Sequence, residues 1–108
     1  MRRIAASKVY IDREHVYTNH IVELYDDRVV NHYPLPSELP MTEWLGGVII
    51  LSRADDVDLS QARSITDMLH LLEQAETTAP RPQAYHITGM DVQSDTFTAK
   101  TKIRILSE

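Results

Sequence analysis

Apolar and polar positions alternate through the first third of the chain. Residues 3–11 end in Val9-Tyr10-Ile11 and read as a strand, broken by the polar run Asp12-Arg13-Glu14. Residues 15–25 are rich in β-branched and aromatic types, with Val22 and Leu24 on the same face as His20. Ile21, Glu23 and Tyr25 take the other face. Asp26-Asp27 supplies a turn, because a short polar side chain tolerates left-handed backbone. Arg28 to Tyr33 then returns as the second arm of a β-hairpin.

Pro34, Pro36 and Pro40 make 34–40 a loop. Gly46-Gly47 reads as a tight turn feeding Val48-Ile49-Ile50-Leu51, an apolar run that suits burial on both faces. The period then changes. Ala62, Ile65, Met68, Leu69, Leu72 and Ala75 recur at three- and four-residue steps, which predicts an amphipathic helix over about residues 59–76. Asp58 is its expected N-cap, with Gln61 as capping-box partner, and Pro80 and Pro82 follow its end. Ala84 to Thr88 is a strand. Phe97, Ala99, Thr101, Ile103 and Ile105 alternate with Thr98, Lys100, Lys102 and Arg104, as a half-buried strand with a basic outer face would.

These elements predict an α+β fold: a small β-sandwich or curled mixed sheet with one amphipathic helix packed on it. At 108 residues the chain reads as a single domain over 1–108. The expected core is Val9, Ile11, Val22, Leu24, Val30, Val48, Ile50, Ile65, Leu69, Leu72, Ile87, Phe97, Ile103 and Ile105.

The first half resembles the β-rich composite domain of metal-dependent hydrolases of the amidohydrolase superfamily. Ile4 to Tyr10 matches its opening strand, Ile21 to Val30 its hairpin, and Trp44-Leu45-Gly46-Gly47-Val48-Ile49-Ile50-Leu51 its last strand. Asp27 and Tyr33 stand where the family's hairpin has glycine. Ser52-Arg53 replaces its Pro-Gly, and no His-x-His follows. The 57 residues after Leu51 are too few for a (β/α)₈ barrel, which takes ~200 or more. The resemblance therefore implies ancestry for a stand-alone domain. It assigns no catalytic residue, metal ligand or cofactor.

Composition narrows the classes further. The chain is 43% hydrophobic and 25% charged with net charge −5, which disfavours a general polyanion-binding surface. Lys100, Lys102 and Arg104 have no aromatic platform beside them for stacking bases, so nucleic acid is not an expected partner. No apolar run is long enough to span a membrane. The absence of cysteine fits a cytoplasmic protein. Asp55, Asp56 and Asp58 lack the glycine and terminal glutamate of a calcium loop.

His20, His32 and Glu23 form one candidate polar cluster, since the two histidines can meet across the hairpin. His86 extends it to a conceivable pocket. His15 and His70 read as surface residues. A metal site needs three or four convergent ligands, and neither HxH nor HExxH is present. The leading expectation is a non-catalytic domain that binds a protein partner or self-associates as a homodimer. The alternatives are a small hydrolase-like enzyme or ligand-binding protein with a pocket near His20, His32 and His86, and a truncated hydrolase fragment.

Overall fold

A computed structural model describes residues 1–37 and 40–108. Glu38 and Leu39, in the expected proline loop, lie outside the described residues. Strands β1 (Arg2–Tyr10), β2 (Val16–Tyr25) and β3 (Arg28–Pro34) form an antiparallel meander. Asp26, at φ 55°, makes the β2–β3 turn. Strand β4 (Thr42–Ser52) returns beside β1 and runs parallel to it. Helix α1 (Ile65–Gln74) follows, then β5 (Gln83–Thr88) and β6 (Lys102–Leu106), each antiparallel to its neighbour. The strand order is β3-β2-β1-β4-β5-β6. The fold is thus α+β, with one curled, unclosed mixed sheet rather than a two-sheet sandwich. No helix among the described residues is long and apolar enough to cross a membrane.

Register breaks curl the sheet. Ala6 faces Leu45 but Lys8 faces Val48, so β4 carries an extra residue at Gly46-Gly47. Glu23 faces Asn31 while Leu24 faces Val29, which leaves Val30 as an extra residue in β3. Such bulges bend a strand and increase its twist. The curl brings opposite margins of the sheet together at one corner. There Val29 N donates to Pro82 O at 2.8 Å, and Glu108 N donates to Asp26 O at 2.7 Å.

Two apolar layers result. Val29 from one margin and Leu106 from the other meet Ile4, Ala6, Val9, Val22, Leu24, Ile49, Leu51 and Ala84. Residues so far apart in strand order can share a cluster only inside the curl. On the other face, Ile65, Met68, Leu69 and Leu72 of α1 pack on Val48, Ile50, Tyr85 and Ile87. Each such buried side chain is worth about 1.5–3 kcal/mol.

Several expectations need correction. The helix starts at Ile65, not near 59: Ser64 is the N-cap, its Oγ accepting from Asp67 N at 3.0 Å. Asp95 adds a second cap from a distant loop, accepting from Ile65 N and from Thr66 Oγ1, both at 2.9 Å. Asp58 accepts from Ser60 N instead, in a separate turn. Gly46-Gly47 lies within β4, not in a turn before it. The bulge at Val30 hands the core position to Val29. Ile105 is 48% exposed, because Leu106 faces the inner layer and carries Arg104 and Lys102 on its side of β6. Phe97 precedes that strand and, like Ile11 and Ile103, is only partly buried.

Candidate functional site

The hairpin brings His20 and His32 together. Both share the inner face with Val22, and His20 Nε2 lies 2.9 Å from His32 Nδ1. Asn19 rephases β2, so Tyr17 falls on the same face three residues before His20. Its ring stacks on His20 with centroids 4.6 Å apart and planes 15° apart. His20 is 3% exposed, and burial, with His32 beside it, lowers its pKa. The facing nitrogens hold one hydrogen between them, one ring donating and the other accepting.

Glu23 does not join them. Strand alternation puts it on the opposite face, where it accepts from Tyr33 Oη at 2.7 Å and Arg3 Nε at 3.0 Å. The Tyr33 hydrogen bond and then the Arg3 guanidinium hold its carboxyl below the usual glutamate range, against the opposing effect of burial. The expected cluster is therefore a histidine pair and a separate structural ion pair. Among the described residues no group of three His, Asp or Glu side chains converges as a metal site would require.

His86 is also apart. It lies opposite Ile49, which pairs with Val9, which pairs with Tyr17. Three strand spacings, about 14 Å, thus separate it from β2. Its Nε2 donates to Gly46 O at 2.6 Å, and its buried Nδ1 has no partner. His15 belongs to a turn built by Asp12, and His70 sits exposed on α1 beside Gln74. Of Lys100, Lys102 and Arg104, only the last two lie in β6.

Sequence reasoning missed the feature at β4. Residues Thr42–Leu45 pair with β1 on one side, while pairing with β5 begins only at Val48. β5 ends at Thr88, opposite the bulge, where Gly47 at φ 86° lets the strands close up: a side chain there would press on the Ile87 carbonyl. Backbone at that bulge can approach β5 only without a Cβ. Upstream of it, among the described residues, no strand covers the other edge of Thr42–Leu45. Beside this open edge Trp44 is 55% exposed and Met41 90%. Glu43, the acidic side chain within Thr42–Leu45, is bound by Arg2 Nε at 2.6 Å. The signal was present as Met-Thr-Glu-Trp-Leu ahead of the glycines, but Ile87, where the pairing partner of Val48 lies, is far along the chain.

No family model, curated protein or solved structure matches this chain. The functional reading rests on the geometry of the molecule alone.

Proposed function

We propose that this domain is a non-catalytic interaction module that pairs with a second copy of itself through the open half of β4. One observation carries the reading: an exposed tryptophan beside unpaired strand backbone at Thr42–Leu45. Natural edge strands are blunted by charge, proline or brevity. β6 is short and carries Lys102 and Arg104, and β3 ends in Pro34. The open stretch of β4 is four residues long and carries Glu43, and among the described residues no strand pairs with its edge away from β1. Its single carboxylate is neutralised by Arg2, so two copies meet without like-charge repulsion. Antiparallel pairing about a twofold axis uses the same row of N–H and C=O groups on both chains. Covering the exposed half of Trp44 removes about 100–130 Å² from water, worth about 3 kcal/mol per copy.

Kinship with the composite domain of metal-dependent hydrolases belongs to the same proposal. Its support is the order of strand, hairpin and glycine-bearing strand, with that last strand returning parallel to the first. The cysteine-free sequence suits work in the cytoplasm.

Trp44 is the only tryptophan, so its emission reports on this edge directly. Light scattering across a concentration series should give a dimer, with the emission shifting to the blue as the dimer forms. Trp44→Arg should shift the midpoint to higher concentration. A strict monomer with constant emission contradicts the reading.

A further inference from the structure

At the far end of β4 the sheet leaves an open cleft of about 510 Å³, bounded by β3, the C-terminal end of β4 and the segment through Pro82. That volume lies within the usual range for small-molecule sites. Its walls are of two kinds. Ile11, Val29 and Leu51 supply apolar surface, and His32, Arg53 and Arg81 supply hydrogen-bond donors.

The two arginines are fixed at their backbones and idle at their side chains. Arg53 O accepts from Thr77 Oγ1 at 2.6 Å and Thr77 N at 3.2 Å. Arg81 O accepts from Arg28 Nη1 at 3.2 Å, and the next carbonyl, that of Pro82, accepts from Val29 N. Among the described residues neither guanidinium has a carboxylate or carbonyl partner. Two such forks anchored on one cleft have no structural employment there, and they match an oxyanion.

His32 adds to them. In the tautomer whose Nδ1 accepts from His20, the remaining hydrogen sits on Nε2 and can be donated; in the other, Nε2 accepts from a protonated acid. Glu76 also lines the cleft and repels a heavily charged ligand. An apolar floor, an acid-binding rim and one acidic wall residue together select a small acid on an apolar body, not a polyphosphate.

We propose that this cleft binds a small organic acid, its oxyanion held by Arg53 and Arg81 with His32 assisting, and its apolar body laid against Val29 and Leu51. The site is separate from the proposed dimer edge. Trp44 and Ser52 are eight residues apart along β4, about 26 Å in extended chain.

The test is a titration followed by NMR of the Ile, Leu and Val methyl groups. The probes are benzoate and phenyl phosphate, with inorganic phosphate and benzyl alcohol as the bare anion and the uncharged body. Saturable shifts at Ile11, Val29 and Leu51 with benzoate or phenyl phosphate support the site, and the tighter of the two distinguishes carboxylate from phosphate. The double variant Arg53→Gln/Arg81→Gln should weaken binding at least about tenfold, the effect of one charge-assisted hydrogen bond. Its unfolding midpoint should not move, since among the described residues neither guanidinium has a hydrogen-bond or ion-pair partner. His32→Gln provides a second, milder loss. The proposal is overturned if neither acid saturates, if benzyl alcohol binds as tightly, or if the double variant binds like the wild type.

Discussion

Gly46 and Gly47 are adjacent in the sequence but differ sharply in what they tolerate. At Gly47 the backbone sits at φ 86°, and an added Cβ would drive into the Ile87 carbonyl, with Thr88 Cγ2 at 3.2 Å. Left-handed backbone costs an alanine about 1–2 kcal/mol. Displacing a strand carbonyl to make room adds about 1–3 kcal/mol, as overpacking does elsewhere. Gly47→Ala should therefore destabilise the fold by about 2–5 kcal/mol, a large part of the ~5–15 kcal/mol that a domain has. At Gly46 nothing lies within 4 Å of an added Cβ, and its φ is not in the left-handed region. Gly46→Ala should change stability by no more than about 0.5 kcal/mol. Urea unfolding followed by circular dichroism gives both values under one slope. If the two variants unfold at the same midpoint, Gly47 does not set the bulge and the account of β4 is wrong.

Asp95→Ala should cost about 1–2 kcal/mol, since it removes the acceptor for Ile65 N and Thr66 Oγ1, whereas Asp95→Asn keeps an acceptor and should cost less; thermal melts of the two variants decide this, and equal losses would count against the capping role. Stability should also fall with acidification in two stages. The His20 pKa is lowered in the folded state, so the unfolded chain takes up the proton more readily, and stability declines as pH drops below about 6.5. The Glu23 carboxyl is likewise held low, so its contribution is complete above about pH 4.3 and is lost as pH falls through its folded value. Urea midpoints measured across that range check both, with Glu23→Gln expected to flatten only the acid limb; a flat profile between about pH 7 and 5 would contradict the reading of His20.

What could be read from the sequence follows the range of the forces involved. The alternation that builds β1, β2 and β3 and the apolar stripe of α1 are local, and both are plain in the residue pattern. That His20 and His32 sit on adjoining strands followed from the hairpin, but their sharing a face depends on the extra residue at Val30, which sets His32 opposite Val22. The same alternation already set Glu23 on the opposite face, which argued against the three-residue cluster. Local pattern failed wherever a remote group decides. Ser64 begins the helix with help from Asp95, thirty residues beyond Ile65, while Asp58-Leu59-Ser60-Gln61 imitates a cap without that partner. Val29 replaces Val30 in the core because one bulge shifts the phase, and a run of two valines carries no sign of which will face inward. Gly47 looked special, but the need for it comes from the Ile87 carbonyl.

The most direct measurement of the open β4 edge is hydrogen exchange at the amides of Thr42–Leu45, read at low and high protein concentration. If the edge is the self-association surface, the amides that face away from β1 become protected as concentration rises, and Trp44→Arg abolishes the effect. Exchange at those amides that is fast and independent of concentration, in a protein that light scattering finds dimeric, would place the interface elsewhere and contradict the account.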